Sequence, residues 1–127
     1  MTEDEVKVVV VDDDEDSAQA LASMLSLDGY SVRTVNDGAE ALLLIEHYHP
    51  HCVLLDIAMP GIDGYELATI LRRQYQDDII LIAVTGWDTQ VSRVAKTFAV
   101  VDHYFQKPLD PATLRKLLPP LAGGRSA

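Results

Sequence analysis

The sequence predicts a doubly wound α/β fold: five parallel strands in the order 2-1-3-4-5, with helices on both faces, forming a three-layer sandwich. Two observations carry this. Residues 6–11, 52–56 and 79–84 are almost uninterrupted apolar runs, the pattern of strands buried on both faces. Between them lie segments with apolar residues at helical spacing, and such alternation gives a parallel sheet with right-handed crossovers. The three most apolar runs belong in the middle of the sheet. That places the topological switch between the first and third strands.

The length of 127 residues fits one domain, expected over residues 1–121 with a loose tail at 122–127. The net charge is −10, unevenly spread: residues 1–63 hold 14 acids and 2 bases, and residues 64–127 hold 6 acids and 8 bases. A surface this acidic argues against direct nucleic-acid binding. The single cysteine, Cys52, rules out an internal disulfide and lies in an apolar run, so a buried, inert thiol is expected. Thr2-Glu3-Asp4-Glu5 is acidic where a signal peptide needs basic residues, and no apolar run approaches the roughly 18 residues of a membrane span. The expectation is a cytoplasmic domain without membrane contact.

In chain order, the β-branched Val6-Lys7-Val8-Val9-Val10-Val11 forms the first strand and runs into Asp12-Asp13-Asp14-Glu15-Asp16. Ala18, Leu21, Ala22 and Leu25 give a helical stripe that Asp28-Gly29 stops. Ser31–Val35 mixes polar and apolar residues, as suits a strand at the sheet edge. Asp37-Gly38-Ala39-Glu40 has the form of a capping box before the stripe Ala41, Leu42, Ile45. Cys52–Asp56 is the third strand. Pro60-Gly61 and Asp63-Gly64 mark a tight loop, and a helix with Leu67, Ile70 and Leu71 inward follows. The fourth strand, Ile79–Val84, ends at Thr85-Gly86. Asp88 caps a fourth helix, with Val91, Val94, Ala95 and Phe98 inward. Tyr104-Phe105 is a short fifth strand before Lys107-Pro108. Asp110-Pro111 starts the fifth helix, which Pro119-Pro120 must break.

In such folds ligands bind at the carboxyl ends of the strands, at the switch point. The residues there are Asp12 and Asp13 after strand one, Asp56 after strand three, Thr85 after strand four and Lys107 after strand five. Two carboxylates about 5 Å apart repel by roughly 3 kcal/mol at an effective dielectric near 20, and a third crowds the site further. A hard divalent cation relieves this, and oxygen ligands favour Mg²⁺, with Mn²⁺ as the alternative. Cation, ammonium and hydroxyl together suit the oxygens of a phosphoryl group. Asp56 is then the nucleophile that forms an aspartyl phosphate.

The motifs Val10-Val11-Asp12-Asp13-Asp14, Leu54–Leu67, Val84-Thr85-Gly86 and Tyr104-Phe105-Gln106-Lys107-Pro108 resemble those of the receiver domains of two-component response regulators, the CheY-like, flavodoxin-like family. The likeness covers about residues 5–121. It implies that Asp56 takes phosphate from a histidine kinase or a histidine phosphotransfer protein. It also implies that Mg²⁺ is held by Asp13, Asp56 and the backbone carbonyl of Ala58, with Asp12 helping through water. Thr85 and Lys107 would bind the phosphoryl oxygens. Thr85 and Tyr104 would move together as a switch that alters the face of the fourth helix, fifth strand and fifth helix, where Arg93, Lys96, Arg115 and Lys116 fall. The output protein stays unspecified. The resemblance leaves a receiver with only weak self-phosphorylating and self-dephosphorylating activity. No DNA-binding element follows residue 121, so the chain reads as a stand-alone receiver or as one cut from a larger protein, with Met1 favouring a natural start. The sequence departs from the family at Ala99-Val100-Val101-Asp102-His103, where a small residue or glycine is usual, at the double proline, and at the bulky Trp87, which reads as a lid over the site or a loop aromatic.

Two other functions compete. A small phosphatase of the haloacid-dehalogenase type also uses aspartate, Mg²⁺, threonine and lysine. It wants Asp-x-Asp-x-Thr/Val after strand one, and Asp12 and Asp14 fit while Asp16 does not. A degenerate interaction module would not need the complete set of five residues. His47, His49 and His51 straddle a helix end and Pro50, which gives no shared face for a metal. Asp14, Glu15 and Asp16 read as helix-start charges favoured by the dipole.

Overall fold

The computed structural model describes residues 6–56, 64–85, 100–106 and 111–118. Its five strands are β1 (Lys7–Val11), β2 (Ser31–Val35), β3 (Cys52–Asp56), β4 (Ile80–Thr85) and β5 (His103–Gln106). They form one parallel sheet in the order β2-β1-β3-β4-β5, as the apolar runs predict. Three helices follow the first three strands: α1 (Glu15–Leu27), α2 (Gly38–Tyr48) and α3 (Gly64–Tyr75). A C-terminal helix spans Pro111–Leu117. The fourth helix expected near residues 88–98 lies outside the described residues, as do Trp87, the Pro60-Gly61 turn and the double proline.

Two apolar layers sandwich the sheet. On one side Val8, Val10, Leu54, Ile82 and Val84 meet Ala18 and Leu25 of α1 and Leu114 of the C-terminal helix. On the other, Val9, Val11, Val53, Leu55 and Leu81 meet Ala41 and Ile45 of α2 and Leu67, Ala68 and Leu71 of α3. Alternate residues of one strand thus fill opposite layers, which is why the strand runs are apolar throughout. All five residues of β3 are buried. β2 sits at the edge, half-buried, with Arg33 exposed.

The ends of the helices follow local chemistry. Asp14 caps α1: its carboxylate accepts from the Asp16 N–H (3.2 Å) and the Ser17 hydroxyl (2.8 Å). α1 stops at Asp28, and Gly29 takes φ 108°, a left-handed value that costs glycine little. Asp37 caps α2 by accepting from the Glu40 N–H at 2.8 Å. His49 ends α2 in the left-handed region. His47, His49 and His51 are all exposed: the His47 ring N–H meets the Leu43 carbonyl at 2.8 Å, and the His51 ring accepts from the Lys7 N–H. These contacts are separate from one another. The fourth strand begins one residue later than the apolar run, at Ile80. Ile79 is buried outside the ladder.

The apolar Val100 and Val101, at which the sequence departs from the receiver pattern, are half-buried against the α2/α3 layer. Arg72 of α3 holds this turn, donating to the carbonyls of Val100 (2.9 Å) and Gln76 (2.6 Å) and to the Asp102 carboxylate (2.9 Å). Among the described residues no helix is long and apolar enough to cross a membrane.

Candidate functional site

Parallel pairing brings the carboxyl ends of the strands to one rim. Val11 pairs with Leu55, so the residues that follow each, Asp12 and Asp56, emerge side by side. Asp56 in turn pairs with Val84, which places the backbone of Thr85 one step beyond it. Thr85 then pairs with Gln106, and Ala83 with Tyr104.

Asp12 and Asp56 are buried, 7% and 8% exposed, the only buried charged residues among those described. Asp13 is exposed. One carboxylate oxygen from each of Asp12, Asp13 and Asp56 lies within 4.8 Å of the others, and this is the one group of potential metal ligands among the described residues. At 4.8 Å, the outer limit of that spacing, two carboxylates repel by roughly 3.5 kcal/mol at an effective dielectric near 20, and water screens the exposed Asp13 more strongly than the buried pair. No buried side-chain polar atom among the described residues lacks a hydrogen-bond partner, but hydrogen bonds do not remove net charge. Three oxygen donors so disposed suit a hard divalent cation: the set lacks the sulfur and imidazole ligands that softer metals select.

The loop that carries the acids is held on several sides. The Asp12 N–H donates to the Val35 carbonyl (3.1 Å), and the Asn36 side-chain amide donates to the Asp12 carbonyl (3.0 Å). One Asp12 carboxylate oxygen accepts from the Asp14 N–H at 2.9 Å. Asp14 is committed to capping α1, consistent with its reading as a helix-start residue. Asn36 carried no signal in the sequence beyond its place before a capping aspartate. Only the three-dimensional pairing of β1 with β2 brings it to Asp12.

Of the residues expected at the site, Asp12, Asp13 and Asp56 are thus brought together. Tyr104 lies half-buried on the edge strand β5. Thr85 is described by its backbone alone, at the end of β4. Ala58 and Lys107 lie outside the described residues.

A carboxylate cluster at the switch point of a doubly wound sheet defines the class first, an α/β domain built to bind its ligand at the strand ends. The model of the response regulator receiver domain family matches residues 8–119. The chain is 42% identical over 103 residues to the response regulator MprA of Mycobacterium sp. (strain KMS), an alignment covering 81% of this chain and 44% of that protein. Its structure is similar to the CheY-like response regulator receiver domain protein from Methanospirillum hungatei JF-1, with a TM-score of 0.81 and 26% identity over 88% of this chain and 89% of that one. It is also similar to the receiver domain of the Francisella response regulator 1452, with a TM-score of 0.75 and 30% identity over 87% and 90%. The chain belongs to the response regulator receiver family and is the receiver domain of a two-component response regulator. It spans less than half the length of the curated relative above. The phosphatase reading finds no support in these relationships.

Proposed function

We propose that Asp56 accepts a phosphoryl group from a histidine kinase or a histidine phosphotransfer protein in the cytoplasm, and that residues 1–121 form the working unit. The observation that carries this is the placement of Asp56: buried at the end of the central strand, with carboxylate oxygens of Asp12 and Asp13 within 4.8 Å. A carboxylate oxygen of Asp56 attacks phosphorus in line, and the bond to the donor imidazole nitrogen breaks. Asp13, Asp56 and the Ala58 carbonyl would hold Mg²⁺ or Mn²⁺, with Asp12 assisting through water. When bound, the ion offsets the charge of the acids and of the phosphoryl oxygens. Thr85 and Lys107 pair with those oxygens, and Tyr104 follows Thr85. The face formed by the segment at 88–98, β5 and the C-terminal helix changes in response and meets the output partner. The chain itself contributes only weak self-phosphorylation from small donors and slow loss of the phosphoryl group.

Acetyl phosphate and the divalent cation test the assignment. The wild type should gain one phosphoryl group, about 80 Da by intact mass, as a single acyl phosphate does. Asp56→Asn should gain none, and an adduct retained in that variant sinks the assignment.

A further inference from the structure

We infer that Asn36 is a positioning residue for the cation: its side-chain amide fixes the main chain between Asp12 and Asp13, and so the spacing of their carboxylates. This rests on the reading of the acidic cluster given above and adds a residue to it.

Both main-chain polar groups of Asp12 are held by consecutive residues of one neighbouring segment. Its N–H donates to the carbonyl of Val35, the last residue of β2, at 3.1 Å. Its carbonyl accepts from Nδ2 of Asn36, the next residue, at 3.0 Å. The second contact governs Asp13. The Asp12 carbonyl lies in the rigid peptide plane that joins Asp12 to Asp13, so holding that oxygen sets the plane from which Asp13 departs. The Asp14 N–H bond to the Asp12 carboxylate fixes the far side of the same turn, at 2.9 Å. A further tie, from the Gln19 amide to the Thr34 hydroxyl at 3.2 Å, keeps α1 against β2. The turn is therefore gripped from the sheet edge at Asp12, on both sides of its main chain, including the peptide that leads to Asp13.

Asn36 itself is exposed. Without its amide, water can solvate the Asp12 carbonyl, so the fold loses little. What is lost is preorganisation: three oxygens must be held in a narrow array for one ion, and supports behind the ligands set how much ordering binding must supply. A turn residue of purely structural value would show the opposite pattern, a change in stability with unchanged affinity for the ion.

The experiment is a titration of the purified chain with Mn²⁺, following free Mn²⁺ by electron paramagnetic resonance. Urea unfolding without metal is measured in parallel. Wild type, Asn36→Ala, Asn36→Gln and Asp13→Ala are compared. Asn36→Ala should bind Mn²⁺ about tenfold more weakly, the lower end for outer supports of metal ligands. Its metal-free urea midpoint should match the wild type. Asn36→Gln, which keeps an amide donor, should recover part of the affinity. Labelling by acetyl phosphate should be slower in Asn36→Ala at low Mn²⁺ and normal at saturation. Wild-type affinity in Asn36→Ala, or weakened binding that merely tracks a lower urea midpoint, overturns the role of Asn36 and leaves the acidic cluster standing. Failure of the wild type to bind Mn²⁺, or equal binding by Asp13→Ala, overturns the cluster reading and this inference with it.

Discussion

Asp102 closes a two-way pair with Leu81 across the sheet. Its N–H donates to the Leu81 carbonyl at 2.8 Å, and its carboxylate accepts from the Leu81 N–H at 2.8 Å. The pair extends the β4–β5 ladder one step before His103. Because Arg72 reaches the same carboxylate from α3, three separate segments meet at Asp102. Partial burial works against ionisation of Asp102. The Leu81 N–H bond, the Arg72 guanidinium and, more weakly, His103 outweigh it, and its pKa falls below the ordinary aspartate value.

Asp102→Ala should therefore destabilise the domain by about 1–2 kcal/mol at neutral pH, because a strand N–H loses its acceptor. The sign with pH follows from the lowered pKa. The folded state binds the proton less readily than the unfolded chain, so the stabilisation is fully present above the unfolded value near 3.9. It is lost as pH falls through the lower folded value. Urea unfolding at pH 7 and at pH 2.5 checks this: the gap between wild type and variant should shrink at the lower pH. An equal gap at both would remove the charge from the explanation.

Phosphorylation should require the metal. Asp13→Ala should abolish both Mg²⁺ binding and labelling by acetyl phosphate, and Asp12→Ala should weaken each less if its contact runs through water. Labelling by intact mass with and without EDTA decides the matter, since equal labelling in the chelator contradicts the proposed cation.

Cys52 should be inert in the folded protein. It is fully buried in the first residue of β3, and burial, assisted by the negative charge of Asp102, pushes its thiol pKa far up. The thiolate is the reactive form, so a disulfide reagent at pH 8 should modify Cys52 only at the rate of unfolding. Rapid modification of the native chain, measured by absorbance of the released thiolate, would show that β3 opens locally.

The strand order and the three acids were legible in the sequence because both depend on local runs. An apolar strand that ends in a carboxylate announces itself, and parallel pairing does the rest. Helix caps were legible for the same reason: Asp37 accepts from the Glu40 N–H as the four-residue pattern suggests. Burial and pairing are different properties, however. Ile79 reads as strand because it is apolar, yet it lies buried just before the first ladder residue, Ile80. The Arg72–Asp102 bond joins residues 30 positions apart, and Asn36 reaches Asp12 across 24. Neither Arg72 nor Asn36 belongs to a periodic apolar pattern, so only the folded register could disclose their contacts.

The sheet has a hard middle and compliant borders. Every residue of β3 is buried and the strand is paired on both sides, whereas the described side chains of β2 and β5 are half-buried or exposed and each strand has one neighbour. Opening free energies in a fold follow such differences in burial and pairing. If Asp56 takes the phosphoryl group as proposed, the added charge loads the best-buried, doubly paired strand, the one that opens least readily. Any rearrangement that answers it would cost least at the border strands β2 and β5. One border has Asn36 beside it and the other carries Tyr104, so two residues tied by proposal to the site stand at the margins of the sheet and not in its middle.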